Sequence, residues 1–191
     1  FGMMAYHVLK FCIKGCTYTV MGDVSQNIHF GYGLNDWEEL KGLLLPDAMD
    51  SFGILKKSYR NTVEISNFAT RILHHGQFSI YPVEPIIRHG NPVQVRQAAD
   101  RQELLREAAG VCLEWQQKGL DTIAVVCRDQ EGAAAVSREL AEYVEVMESN
   151  LEKAEFGNGI MVLPVEYTKG LEFDAVLIFN PVREEYPVED G

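Results

Sequence analysis

The chain has 191 residues, of which 47% are hydrophobic and 24% charged, a balance typical of a soluble globular protein. Its formal net charge of −11 argues against non-specific attraction to nucleic acid, and no apolar run approaches the roughly 20 residues that cross a bilayer. Four cysteines are too few for a disulfide scaffold, so we expect reduced thiols packed in a cytosolic core, at Cys12, Cys16, Cys112 and Cys127. Zinc at Cys12 and Cys16 is the alternative, although no second Cys/His pair follows at finger-like spacing.

Apolar periodicity and turn residues predict a chain in which helices and strands alternate. In order, the patterns predict a helix over 4–14, a strand over 17–21, a helix carrying Trp37 and Leu44, a strand over 52–55, a helix over 61–75, a strand over 93–96, a helix over 100–118, a strand over 122–127, a helix over 129–143, and strands over 144–147, 160–163 and 175–179. This alternation indicates a parallel, three-layer α/β lobe.

A connector rich in Pro, Asp, Ser and Gly covers residues 46–53. We therefore expect two parts: the C-terminal end of a first lobe over 1–48, and a second lobe over 49–191.

Residues 55–62, with the sequence LKKSYRNT, place a basic cluster, an aromatic and an arginine directly before a helix. Asn61 and Glu64 have the spacing of a capping box, which puts Arg60 where a strand leads into a helix N-terminus. Such a position favours anions, and an arginine there would add a bidentate grip on phosphate. The alternative is a surface turn with solvated charges.

Two more polar stretches follow predicted buried strands. Gln26 lies in the loop after the strand over 17–21, where its amide would hold a water or contact a phosphate oxygen. Gly170 and Glu172 lie between the last two strands, where glycine allows close backbone approach and the carboxylate would accept from ribose hydroxyls. Taken singly, each of these is also readable as a solvated turn.

Together, in this order, the three stretches resemble motifs of superfamily 1 DNA helicases of the UvrD/Rep type, most closely the helicase IV-like branch. MGDVSQNI at 21–28 resembles motif III, LKKSYRNT at 55–62 resembles motif IV, and TKGLEFDAVLI at 168–178 resembles motif V. The resemblance implies a RecA-like three-layer α/β/α lobe with a mainly parallel sheet, preceded by the end of a first RecA-like lobe.

The resemblance also implies roles for single residues. Gln26 would couple the γ-phosphate to the DNA-binding face, Tyr59 would stack on adenine, and Arg60 would be the arginine finger, so that Gln26 and Arg60 are the catalytic candidates. Gly170 and Glu172 would lie near the nucleotide, with Glu172 on the ribose. Thr168 and Lys169 would belong to the loop that links the nucleotide and single-strand sites.

Other family motifs are missing from this sequence. It contains neither the Gly-Lys-Ser/Thr of a phosphate-binding loop nor the Asp-Glu pair that holds magnesium. The arginine-bearing motif VI is expected beyond motif V. We therefore expect a longer parent protein to bind ATP and Mg²⁺ and to hydrolyse ATP, and we expect this fragment alone to be inactive.

The DNA-binding residues depart from the family pattern. Gly31 stands where relatives carry a base-stacking tryptophan, so Phe30 and Tyr32 would stack instead, and Glu166 stands where relatives carry a histidine. The favoured function is a cytoplasmic, ATP-dependent 3′–5′ helicase or translocase that acts on single-stranded DNA, with no membrane partner. The alternative is an ATPase-type interaction factor that acts on RNA polymerase rather than unwinding duplex DNA.

Overall fold

The computed structural model describes residues 2–15, 17–23, 37–45, 50–75, 84–147 and 157–186. The chain divides into two compact units, Phe1–Val95 and Arg96–Gly191. The expected boundary between residues 48 and 49 lies inside the first unit and within the undescribed residues 46–49. The division into two lobes at that point stays a prediction.

The described residues of the first unit form three helices and a short parallel ribbon. The elements are α1 (Met3–Cys12), α2 (Trp37–Leu44), β1 (Lys57–Ser58), α3 (Val63–His74) and β2 (Glu84–Pro85). β1 pairs with β2 in parallel, with Lys57 opposite Glu84. The helices predicted over 4–14 and around Trp37 are thereby confirmed.

Three predicted strands are wrong: residues 17–21, 52–55 and 93–96 have no strand structure. A strand exists only where its backbone bonds to a neighbour, whatever the β-propensity of its side chains. The pairing lies just beyond the 52–55 run instead. The Lys56 carbonyl accepts from the Glu84 N–H at 2.7 Å, and the Ser58 carbonyl accepts from the Ile86 N–H at 3.0 Å.

The second unit is built on a parallel three-stranded sheet. Its elements are α4 (Arg101–Gln117), β3 (Thr122–Cys127), α5 (Gln130–Leu140), β4 (Gly159–Pro164), a 3₁₀ turn (Val165–Thr168) and β5 (Ala175–Ile178). The strand order is β4-β3-β5, with β3 parallel to both neighbours. The predicted α/β class with a mainly parallel sheet is confirmed. The strand expected over 144–147 is reduced to a single bridge between Val146 and Ile160.

Helices α4 and α5 begin where their sequences predict, and α4 also ends there, whereas α5 ends at Leu140 rather than at residue 143. Asp100 caps α4 by accepting from the Glu103 N–H, and Asp129 caps α5 by accepting from the Gly132 N–H, both at 2.8 Å. Gly119, just past α4, has φ +79°, a left-handed conformation that glycine adopts without strain.

One face of the sheet, covered by α4 and α5, forms the core. Its buried members from the helices and strands are Leu105, Ala108, Ala109, Cys112, Ile123, Val125, Cys127, Ala133, Val136, Leu140, Ile160 and Val162. The expected burial of Cys112 and Cys127 is confirmed. Cys12 is exposed on α1, a helix in which no residue is buried. Cys16 lies outside the described residues, so the zinc alternative stays untested.

The opposite face of the sheet is covered differently. Phe173 packs there against Ala124, Val126, Met161 and Leu163. β5 was expected to be fully buried, but its side chains alternate between half-buried and exposed. The reason is its place at the edge of the described sheet, where one of its faces stays open. None of the helices in the described ranges is both long and apolar enough to span a membrane.

Candidate functional site

The motif IV stretch presents Tyr59 and Arg60 on a bend between β1 and α3. The Tyr59 side chain is 69% exposed, and Arg60 is exposed as well. Both residues therefore lie where the sequence predicted, at the entry to a helix, with side chains accessible to a ligand.

The cap of α3 differs from the prediction. Thr62, not Asn61, is the N-cap: it has extended backbone angles, and its Oγ1 accepts from the Ile65 N–H at 3.5 Å. The Thr62 carbonyl accepts the first helical bond, from Ser66, at 3.0 Å. Because the helix starts one residue later than expected, Asn61 is outside it and the proposed Asn61–Glu64 capping box is wrong.

Glu64 instead binds residues 89 and 90, where the sequence predicted neither a helix nor a strand. Its Oε1 lies 2.9 Å from His89 Nδ1, and its Oε2 accepts from the Gly90 N–H at 2.9 Å. The hydrogen bond with His89, followed by that from Gly90, lowers the pKa of Glu64 from 4.5 to about 2. Glu64 is therefore ionised at neutral pH and anchors residues 89–90 to the first turn of α3.

The same segment also holds the bend itself. The Val63 N–H donates to the Arg88 carbonyl at 3.0 Å, and the Arg88 guanidinium donates to the Arg60 carbonyl. Gly90 approaches so closely that a Cβ there would lie 2.7 Å from Thr62 Cγ2. No sequence motif pointed to residues 88–90, because their contacts depend on tertiary pairing of the β1–β2 ribbon.

These contacts change the expected anion site. The first-turn N–H groups of Val63 and Ile65 already bond to protein oxygens, and the carboxylate of Glu64 lies at the same helix end. A negative side chain thus interacts with the positive end of α3. The expected anion site would therefore depend on the Arg60 guanidinium rather than on the backbone of the helix.

In the second unit, motif V runs from the carboxyl end of β4 to the start of β5. Thr168 is half-buried and its hydroxyl donates to the Val165 carbonyl at 2.7 Å, while Lys169, Gly170 and Glu172 are exposed. Gly170 has φ +81°, and a Cβ there would meet no protein atom within 4 Å. Glycine is therefore required by the turn, and the space beside its backbone is open to a ligand.

The C-terminal side of this loop is fixed to the sheet by two consecutive residues that received no role from the sequence. Phe173 packs on the apolar face described above. Asp174 accepts at Oδ2 from the backbone N–H groups of Asp121 and Thr122, at 3.0 and 2.8 Å. The sequence signal that could have identified these two anchors was an apolar and an acidic residue directly before a predicted strand. Both residues anchor the C-terminal end of the exposed residues 169–172.

A pocket of about 120 Å³, lined by both apolar and charged side chains, opens near the carboxyl ends of β3 and β5, where ligands commonly bind in α/β sheets. Its cations are already paired. Arg101 forms two bonds to Glu139, at 2.7 and 3.0 Å, and Arg128 lies 3.7 Å from Asp129. The pocket is thus close to charge balance, which does not favour an anion. In the described ranges, no group of three His, Cys, Asp or Glu residues is arranged to hold a metal ion.

The structure brings the predicted residues together in two separate groups. Tyr59 and Arg60 are adjacent in the first unit, and the residues of motif V are adjacent in the second, namely Thr168, Lys169, Gly170 and Glu172. Gln26, Phe30 and Tyr32 lie outside the described residues. Glu166, the residue aligned with the histidine of relatives, is exposed in the 3₁₀ turn.

Among known proteins, a solved structure is similar to this chain. It is the C-terminal domain of a possible DNA helicase from Lactobacillus plantarum WCFS1, with 26% sequence identity and a TM-score of 0.57 over 70% of this chain and 74% of that one. The fold is that of a RecA-like helicase C-terminal domain. The similarity supports a helicase-type function. No family model matches the chain, and no curated protein matches it significantly.

Proposed function

We propose that this chain is the C-terminal part of an ATP-dependent superfamily 1 helicase or translocase of the UvrD/Rep type, moving 3′–5′ on single-stranded DNA in the cytoplasm. One observation carries the proposal: Tyr59 and Arg60 lie exposed on a braced turn before α3, in a chain similar to a helicase C-terminal domain. The turn supplies an aromatic face and a guanidinium side by side.

Arg60 is the arginine finger in this proposal. A guanidinium carries five N–H donors in a planar fork, which suits two oxygens of a γ-phosphate at once. It stabilises negative charge as the phosphoryl group is transferred, an effect on the order of 10³- to 10⁵-fold in kcat where fingers act. Tyr59 stacks on adenine and so fixes the nucleotide beside the finger.

Motif V supplies the second group of contacts. The open space beside Gly170 lets backbone approach the nucleotide, and the exposed carboxylate of Glu172 accepts from ribose hydroxyls. Thr168 and Lys169 contact phosphates of the single strand, which position nucleic acid without reading its sequence. From motif III, Gln26 couples nucleotide state to the strand, on whose bases Phe30 and Tyr32 stack.

The main ligands of the triphosphate and of Mg²⁺ are not in this sequence, which lacks both Gly-Lys-Ser/Thr and Asp-Glu. We propose that segments of a longer protein supply them. This chain would then add the finger and the base-stacking ring, and by itself would not hydrolyse ATP. ATPase activity of the purified 191-residue chain would contradict this division.

The test replaces Arg60 in the full-length protein. Arg60→Ala is expected to lower kcat for single-strand-stimulated ATP hydrolysis by at least about 10³-fold while binding of a fluorescent ATP analogue survives. Arg71→Ala, at the other end of α3 and also exposed, is the matched control and should leave turnover unchanged. Unchanged turnover in Arg60→Ala would overturn the finger assignment.

A second candidate is an ATPase that acts as a conformational switch on RNA polymerase. The net charge of −11 and the exposed Glu166 favour it, since both oppose binding to a phosphate backbone. It predicts ATP hydrolysis that single-stranded DNA does not stimulate, together with co-purification of polymerase. Glu166→His would raise DNA affinity under the helicase proposal and leave polymerase binding unchanged under the alternative.

A further inference from the structure

Arg88 contacts the Arg60 turn at two points. Its carbonyl oxygen accepts from the Val63 N–H at 3.0 Å, and its guanidinium donates to the carbonyl of Arg60. The backbone and the side chain of one residue therefore hold the two ends of the bend between β1 and α3. A hydrogen bond from a charged donor to a carbonyl is stronger than one between two neutral groups.

Within the described residues, a packed core contributes little to this bend. α3 has no buried residue, and β1 consists of only two residues paired with β2. Packing against a core, which normally immobilises a turn, is thus weak here. The position of the Arg60 backbone therefore depends mainly on hydrogen bonds. The Arg88 guanidinium supplies a side-chain hydrogen bond to the Arg60 carbonyl.

We propose that Arg88 is a positioning residue for the Arg60 finger. The inference rests on the proposed function, because it gives Arg60 a phosphate to contact. In it, Arg88 fixes the Arg60 backbone so that the guanidinium meets the γ-phosphate in a productive orientation. Displacements of about 1 Å at a reacting group cost on the order of 10²-fold in rate, so the orientation of the finger matters.

A neighbouring contact provides a control within the same segment. Glu64 binds His89 and Gly90, which secures residues 89–90 to α3 but does not touch the Arg60 carbonyl. Glu64→Gln loosens the segment by removing the carboxylate charge and leaves the bond from Arg88 in place. An effect confined to Arg88 variants therefore separates positioning of the finger from general stability of the turn.

The experiment measures kcat and KM for ATP in the full-length protein with five variants: Arg88→Ala, Arg88→Lys, Arg60→Ala, the double Arg60→Ala/Arg88→Ala and the control Glu64→Gln. Arg88→Ala is expected to lower kcat about 10- to 100-fold, with KM changing by less than about 3-fold. Arg88→Lys should restore much of the loss, since one ammonium donor suffices for one carbonyl. Glu64→Gln should keep kcat within about 3-fold of the original, because the finger is still held.

The double variant is decisive. If Arg88 acts through Arg60, the double variant is no slower than Arg60→Ala alone. Losses that multiply would show that Arg88 acts independently and would overturn the inference, as would an unchanged kcat in Arg88→Ala. If Arg60→Ala itself has no effect, the proposed function fails rather than the positioning alone. Thermal melts accompany each variant, and Arg88→Met, which keeps much of the side-chain volume but has no donor, replaces Arg88→Ala if the latter does not fold.

Discussion

The carboxylate of Asp174 accepts hydrogen bonds from both the backbone N–H and the hydroxyl of Thr122, at 2.8 and 2.9 Å. The Asp174 N–H in turn donates to Thr122 Oγ1 at 3.0 Å. The last residue before β5 is thereby fixed to the first residue of β3. Asp174 thus has a structural role inside motif V, whereas Lys169, Gly170 and Glu172 stay exposed.

This arrangement predicts an acid-sensitive contribution to stability. The hydrogen bonds from Thr122, and then that from Asp121, hold the pKa of Asp174 below its usual range. A carboxylate whose pKa is lower in the folded state stabilises the fold above its unfolded pKa, and the effect is lost as the pH falls through the folded value. Asp174→Asn should therefore lower Tm at pH 7, and the difference from the original chain should shrink below about pH 4.

The measurement is thermal unfolding of the 191-residue chain followed by circular dichroism between pH 7 and pH 2. Glu142→Gln, in the exposed turn after α5, removes the same charge without touching β3 and is the control. A Tm difference for Asp174→Asn that stays constant down to pH 2 would contradict the assignment.

The corrected cap of α3 makes a second prediction. Thr62→Ala removes the side chain that accepts from the Ile65 N–H and should cost about 1 kcal/mol of unfolding free energy. Asn61→Ala, one residue outside the helix, should change the unfolding free energy by less than about 0.5 kcal/mol. Urea unfolding of both variants distinguishes them. If Asn61→Ala costs more, the capping box expected from the sequence is right and the observed cap is not.

The sheet allows a matched comparison of two valines on neighbouring strands. Val125 in β3 is fully buried under α4 and α5, whereas Val176 in β5 is 50% exposed. Val125→Ala should cost about 2 kcal/mol, since it removes two buried carbons and leaves a cavity. Val176→Ala should cost about 0.5 kcal/mol or less. Equal losses in urea unfolding would mean that the open face of β5 is covered in solution.

The elements that were predictable from the sequence are those whose signals are local. The apolar run of β3, the periodic face of α4 and the capping residues Asp100 and Asp129 all lie within the element they define. Such patterns reflect burial of one face and satisfaction of helix-end N–H groups, which need no knowledge of the rest of the chain. They sufficed to identify the α/β class.

What the sequence could not show depends on pairing between distant segments. β1 exists because Lys57 meets Glu84, and three runs of high β-propensity found no such partner in the described structure. The contacts of Arg88 and Gly90 with the turn over residues 59–62 follow from that pairing. The site motifs were visible as residues, but the groups that hold them in place were not.

The cysteines allow a prediction that compares buried with exposed thiols in this chain. Burial raises the pKa of the Cys112 thiol to about 11 and that of Cys127 to about 12, whereas Cys12 is exposed on α1. Because the thiolate is the reacting species, at pH 8 only about one in 10³ or fewer of the buried thiols is ionised. Iodoacetamide should therefore modify Cys12 in the native chain and leave Cys112 and Cys127 intact.

Peptide mapping by mass spectrometry after timed labelling assigns each site separately. In denaturant, Cys112 and Cys127 should react as fast as Cys12, because unfolding removes the burial that raises their pKa values. Val125→Ala should speed native labelling of both buried thiols, since it destabilises the face of the sheet that they share. Rapid native modification of Cys112, which is fully buried against that face, would show that the α4 layer opens far more readily than its packing implies.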